Sequence, residues 1–173
     1  KGSSVVCFRS KELRKASYIP SYDGCEGLYV TPTLQGSRSG ANIAAAWSSV
    51  MFHGDNGYSQ MAANHNEVMK IAMQGVSDCR GIEVFGGRPD ASILPIISSN
   101  KSLDIYAVAS RMEKKGWNLF TGQNPPVLGL CIGEVHLGQV IKNWVKDLHD
   151  SVNQALANPK EKITGNAAIY GSA

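Results

Sequence analysis

Between His136 and Leu156, apolar side chains recur at Leu137, Val140, Ile141, Trp144, Val145, Leu148 and Val152. In a helix, spacing by three and four residues gathers them into one stripe, and such a stripe must be covered by another layer. The preceding residues offer that layer. Ile82–Phe85 and Ala91–Ser98 are β-prone runs separated by Gly86-Gly87-Arg88-Pro89-Asp90, the pattern of a hairpin. Trp117–Phe120 and Val127–Ile132 flank Asn124-Pro125-Pro126 and read as two more strands. Ser102 is expected to cap a helix running through Lys115, with Lys114 and Lys115 in its last turn and Gly116 just beyond. Residues 80–158 are therefore expected to form a small sheet with helices on one face, an α/β arrangement of the α+β kind.

The first part of the chain differs in character. Ser3–Ser10 reads as a short buried strand. Residues 16–40 are rich in Tyr, Gly, Pro, Ser and Thr and read as an extended loop with a brief strand at Leu28–Val30. A loop of this length is usually functional or docked on a neighbour. Residues 41–53 are Ala-rich and apolar on most sides, which predicts a buried helix with Trp47 in core or interface packing. Gly54-Asp55-Asn56-Gly57 breaks it, and a second helix is expected from Tyr58 to Val76 with Met61, Val68, Ile71 and Ala72 near helical spacing.

Composition excludes several classes. Lys and Arg total 17 against 14 Asp and Glu, a net charge of +3 without basic clusters, so nucleic-acid binding is not expected. Charged residues make up 18%, below the roughly 25% of average domains, which points to extra surface buried against a partner. No apolar run approaches the roughly 18–20 residues of a membrane helix. The cysteines Cys7, Cys25, Cys79 and Cys131 form no CxxC pair, and the histidines show no metal-binding spacing, so no metal is expected. Cys7 and Cys131 sit in apolar runs and read as buried, reduced thiols of a cytosol-facing protein. The chain opens at Lys1-Gly2-Ser3-Ser4 without Met and is expected to be part of a longer one.

Specific strings carry a resemblance. Tyr29-Val30-Thr31-Pro32-Thr33-Leu34-Gln35-Gly36-Ser37-Arg38-Ser39-Gly40 resembles a segment of the sphingosine-1-phosphate lyases, group II decarboxylase-like enzymes. Further similar strings follow in order: Gly54 with Asn56-Gly57-Tyr58, Asp104-Ile105-Tyr106, Lys115-Gly116-Trp117-Asn118-Leu119, Pro125-Pro126, and the tail from Thr164-Gly165 to Ala168-Ile169-Tyr170-Gly171. Lys1-Gly2-Ser3-Ser4 matches as well. The departures are Ser39, where many members have proline, and Gly129 and Gly133, where bulkier residues are common.

The resemblance implies a fold-type-I enzyme using pyridoxal 5′-phosphate and acting as a homodimer with shared active sites. It places residues 1–57 at the end of the cofactor-binding large domain, 58–158 in the small C-terminal domain and 159–173 in a mobile tail. The lysine that holds the cofactor covalently would precede Lys1. The implied reaction cleaves a phosphorylated sphingoid base to a long-chain aldehyde and phosphoethanolamine. Eukaryotic relatives are expected at the endoplasmic reticulum membrane and bacterial ones in the cytoplasm.

Implied site residues follow the motifs. Gly36 and Ser37 would touch the cofactor phosphate, where glycine permits close approach and hydroxyl and N–H groups donate. The alternative is a Gly-Ser turn leading into the next helix, with Ser39 suited to cap it. Arg38 would bind substrate phosphate or pair with a carboxylate. Lys1 would lie near the reacting amine or an anion, and Tyr170 would close over substrate as lid or proton donor. His136 and His149 read as structural. Two other readings stand beside the lyase: an amino-acid decarboxylase of the same fold, with Arg38 holding a carboxylate, and a non-catalytic dimerisation module.

Overall fold

Alternation within Ile93–Ser98 puts Leu94 and Ile96 on one face of a strand and Ile93, Pro95 and Ile97 on the other. The computed structural model, which describes residues 2–25, 27–159, 162–165 and 167–171, shows what that face builds. The side chains of residues 170 and 171 are outside the description. The chain divides into two compact units, Lys1–Asn56 and Gly57–Ala173.

The first unit contains α1 (Lys11–Ala16), β1 (Ile19–Ser21), β2 (Tyr29–Thr31) and the start of α2 (Gly40–Ser77). β1 and β2 pair antiparallel, with Pro20 opposite Val30. None of this unit's described residues is buried. That corrects three expectations. Ser3–Ser10 is not a strand and is almost wholly exposed. Residues 41–53 are helical but not buried, and Trp47 is 64% exposed. Cys7 is exposed rather than enclosed. Apolar sequence predicts burial only where a second layer exists, and the first unit has none of its own.

Within α2, only Gly54 leaves helical geometry, with φ 57° and ψ −173°. The expected break is therefore a single residue, and Asp55-Asn56-Gly57 stays helical. Glycine meets that positive φ without the Cβ penalty of other residues.

The second unit contains the Gly57–Ser77 part of α2, then β3 (Ile82–Val84), β4 (Ile93–Ser98), α3 (Ile105–Lys114), β5 (Phe120–Gly122), β6 (Val127–Cys131), a 3₁₀ turn at Glu134–His136, α4 (Gln139–Ala157) and α5 (Ala167–Gly171). The sheet order is β3-β4-β6-β5, antiparallel throughout. Leu94 pairs with Leu130 and Ile96 with Leu128, and all four are buried. Ile141, Trp144, Leu148 and Val152 of α4 are 0% exposed in the same core, while Val140 at the stripe's edge is 39% exposed. α3 packs on both β6 and α4. Truncating a core side chain such as Leu148 to Ala is expected to cost about 2–5 kcal/mol.

Local chemistry adjusts the boundaries. Asp104, not Ser102, caps α3, its carboxylate accepting from Tyr106 N–H at 2.8 Å. Ser102 N–H instead donates to Asn100 Oδ1 at 2.9 Å in the preceding turn. Gly116, with φ 91°, ends the helix in a Schellman arrangement: Trp117 N–H donates to Met112 C=O and Gly116 N–H to Glu113 C=O. The following strand starts at Phe120, later than Trp117, whose N–H is taken by the Met112 carbonyl and whose indole donates to Asp147 of α4 at 2.9 Å. Cys131 ends β6 and is exposed, a further departure from the buried-thiol reading.

Two glycines owe their identity to contacts. A Cβ on Gly75 would stand 2.6 Å from Val145, so glycine lets α2 approach α4, where His149 Nε2 bonds Gly75 C=O at 2.6 Å. Gly129 sits opposite Phe120, whose ring occupies the place a Cβ would take. That explains the absence of a bulkier residue at position 129. Gly129→Val is expected to destabilise the fold by about 1–3 kcal/mol through overpacking, and Phe120→Ala in the same chain should recover part of the loss; denaturant titration of both variants tests the coupling.

Lys115 Nζ donates to Asp147 at 2.8 Å and approaches Asp150 at 3.6 Å, joining the end of α3 to α4. The Lys115 hydrogen bond, aided by the Trp117 indole, holds the Asp147 carboxyl below its usual range, and the same bond raises Lys115. A depressed carboxyl stabilises the fold above its unfolded pKa and loses that contribution as pH falls through the folded value. The raised Lys115 contributes below its unfolded pKa and loses it as pH rises through the folded one. Asp147→Asn is expected to cost about 1 kcal/mol at pH 7, and the difference from the parent should shrink as pH falls below the ordinary carboxylate range; urea unfolding across that range measures it.

Candidate functional site

The site is assembled from two short pieces of the first unit. Ser10 caps α1 by accepting from Leu13 N–H at 3.3 Å, and the strong helix formers Lys11–Ala16 follow. Arg14 thereby falls in the helix's last turn. Its carbonyl is satisfied by both the hydroxyl (2.7 Å) and the N–H (3.1 Å) of Ser17. Glu12 belongs to the other end of α1: a backbone hydrogen bond and the Ser10 hydroxyl hold its carboxyl below the usual range.

The second piece leaves β2 at Thr31. The Thr31 hydroxyl donates to Thr33 C=O at 2.7 Å and accepts from Thr33 N–H at 3.4 Å. The Thr33 hydroxyl donates to Gln35 C=O at 2.8 Å and accepts from an Arg38 guanidinium nitrogen at 2.9 Å. Small hydroxyl side chains thus pin the backbone two residues ahead, a local alternative to helix or sheet. Arg38 is held by one of its five N–H donors, leaving most of its fork for another acceptor.

These pieces, with Ser4, Val6 and Phe8 of the preceding segment, line an open cavity of about 490 Å³. Its wall carries Arg14 and Arg38, hydroxyls from serine, threonine and tyrosine, the apolar Val6 and Phe8, and no carboxylate. Guanidinium and hydroxyl donors without a competing anion suit a phosphate ester, so the donor set fits the phosphate of a cofactor or substrate.

The sequence-derived candidates fall unevenly around this cavity. Gly36 and Arg38 line it, whereas Ser37 is exposed on the same loop but does not. Gly36 is not demanded by the chain itself: its φ is not left-handed, and an added Cβ would meet only Tyr29 Oη at 3.5 Å. Lys1 is outside the described residues. Tyr170 lies in α5 with its side chain likewise outside them. Arg14, which no motif marks, also lines the cavity; the sequence signal that places it is Ser10 followed by an unbroken run of helix formers.

The other motifs have structural employment. Asp104-Ile105-Tyr106 and Pro125-Pro126 meet at a second cavity of about 680 Å³. There Asp104 caps α3 and the Tyr106 hydroxyl donates to Gly122 C=O at 2.8 Å. With Glu83 and Asp104 on its wall beside Lys101, that cavity is ill suited to an anion. Thr164 of the tail string is tied to Ser110 at 3.0 Å, and Ala167 is buried. His136 is bonded at Nδ1 to Gly133, and His149 to Gly75, in keeping with structural roles. Among the described residues, no group of His, Cys, Asp and Glu could hold a metal ion, and no helix is long and apolar enough to cross a membrane.

No family model matches the chain. Sphingosine-1-phosphate lyase of Oryza sativa subsp. japonica is 38% identical over 173 residues, 100% of this chain and 31% of the relative. That of Arabidopsis thaliana is 36% identical over the same span, also 31% of its length, and a probable one from Legionella pneumophila is 31% identical over 99% of this chain and 30% of its own. Among solved structures, the sphingosine-1-phosphate lyase of Burkholderia pseudomallei superposes with a TM-score of 0.76 at 28% identity, covering 87% of this chain and 34% of that one. Lactobacillus brevis glutamate decarboxylase superposes at 0.57 with 15% identity over 87% of this chain and 35% of that one, a likeness of fold alone. The chain is thus homologous along its whole length to sphingosine-1-phosphate lyases, corresponds to their C-terminal portion, and has the fold of that part of fold-type-I enzymes.

Proposed function

We propose that this chain is the C-terminal portion of a pyridoxal 5′-phosphate-dependent lyase that cleaves phosphorylated sphingoid bases to a long-chain aldehyde and phosphoethanolamine. The carrying observation is identity of 38% and 36% to two such lyases across all of this chain, although it spans only 31% of their length. The carboxylate-free cavity at the Thr31–Arg38 loop supports the same reading, because both the cofactor and this substrate are phosphate monoesters.

Pyridoxal 5′-phosphate, when bound, supplies an electron sink for the pair released by carbon–carbon cleavage. The chain's own residues hold and orient. Arg38 presents a planar fork, already positioned by Thr33, to a phosphate group of the substrate. Gly36 keeps the loop backbone open to close approach, and the neighbouring Ser37 offers a hydroxyl and an N–H to the cofactor phosphate. Lys1 holds an anion or relays a proton at the reacting amine, and Tyr170 covers the substrate and donates a proton. A homodimer with shared sites is part of the proposal. Exposed Leu34, Trp47 and Phe52 on the first unit are the kind of surface a second subunit would cover.

The test is incubation of the full-length protein, loaded with cofactor, with sphingosine 1-phosphate. Long-chain aldehyde and phosphoethanolamine are expected in equal amounts; carbon dioxide release from amino acids with no aldehyde would replace the reading by a decarboxylase. Gly36→Val should leave the melting temperature unchanged, since no neighbour in the chain is displaced, yet weaken cofactor or substrate binding about tenfold or more. Equal binding by that variant would remove Gly36 from the site.

A further inference from the structure

A second arginine lines the cavity beneath the Arg38 loop, and it comes from a different element. Arg14 projects from α1, and among the described residues no carboxylate is paired with it or with Arg38. The hydroxyl hydrogens of Thr31, Thr33 and Ser17 are already given to the carbonyls of Thr33, Gln35 and Arg14. The side-chain donors left for a ligand are therefore those of Arg14 and Arg38, the Gln35 amide and the hydroxyls of Ser4 and Tyr18. Two cations facing one cavity repel each other until an anion sits between them. A phosphate monoester carries about −1.5 to −2 charge at pH 7 and three acceptor oxygens, which matches two forks better than a single carboxylate does. The cavity's 490 Å³ exceeds what a bare phosphate needs, and Val6 and Phe8 line the remainder, leaving apolar wall for the carbon side of an ester.

We infer that Arg14 is a phosphate-binding residue, acting with Arg38 as a two-guanidinium clamp on a phosphate monoester in this cavity. Thr33 is the positioning residue that fixes the Arg38 side of the clamp. The inference deepens the lyase reading by naming the ligand class of the loop pocket. The monoester is that of the cofactor or that of the substrate, which share this chemistry.

The experiment is titration calorimetry on the full-length protein with three probes: inorganic phosphate, phosphoethanolamine and pyridoxal 5′-phosphate. Arg14→Gln is expected to weaken at least one of the two esters about tenfold or more, the ester affected identifying the source. Arg14→Lys, which keeps charge but not the fork, should fall between. Arg9→Gln removes a nearby cation that lines only the adjoining depression and should have little effect. Thr33→Val should weaken the same ester, and Thr33→Ser should restore it. Unchanged affinity in Arg14→Gln, or an equal loss in Arg9→Gln, overturns the clamp, the latter by showing diffuse surface charge. Circular dichroism separates binding loss from unfolding; if Arg14→Gln does not fold, Arg14→Lys and Arg38→Gln decide. Arg14-dependent ester binding without aldehyde formation would refute the lyase reading and leave the clamp; aldehyde formation with Arg14-independent binding would do the reverse.

Discussion

Burial of one sheet face beneath the helices is the constraint on which the second unit rests. Leu94, Ile96, Leu128 and Leu130 lie on that face, and Trp144, Leu148 and Val152 share their core. The four strands have only one such face, because the alternation that puts Leu128 and Leu130 inside puts Gly129 outside. There Phe120 lies across the glycine backbone, so the outer side is closed by an aromatic ring rather than by a third layer. The clamp of Lys115 and Trp117 on Asp147 then fixes how α3 meets α4.

The first unit follows a different logic. No described residue of this unit is buried within the chain, and its turns are marked by local hydrogen bonds. Ser10 caps α1, Ser17 closes it, and Thr31 and Thr33 fold the loop that ends at Arg38. Such bonds define a backbone path without needing a core. They also take up the hydroxyl hydrogens of Ser17, Thr31 and Thr33, which leaves Arg14, Arg38, Gln35, Ser4 and Tyr18 as the side chains that can donate at the cavity. The scaffold and the pocket chemistry are therefore one set of interactions seen from two sides.

Much of this was legible in the residues. The stripe at Ile141, Trp144, Leu148 and Val152 is decided by periodicity, and the hairpin around Gly86-Gly87 by turn chemistry, so both appear where expected. Capping and helix-stop details depend on where the helix begins: α3 starts at Ile105, so Asp104 rather than Ser102 stands at the cap and accepts from Tyr106 N–H. Residues 3–10 and 41–53 are almost wholly exposed despite their apolar sequence, because apolar composition reports a preference for cover and says nothing of whether the same chain supplies it. Gly36 and Arg38, marked by their string, line the candidate cavity, whereas no string marks Arg14, which lines it by three-dimensional proximity across the intervening hairpin.

The two-guanidinium clamp requires a phosphate monoester seated between Arg14 and Arg38. Structure determination of the full-length protein with bound phosphoethanolamine addresses it most directly. Phosphate oxygens within hydrogen-bond distance of both guanidinium groups is the predicted result. A phosphate bound elsewhere, with Arg14 paired to a carboxylate or turned to solvent, would contradict it.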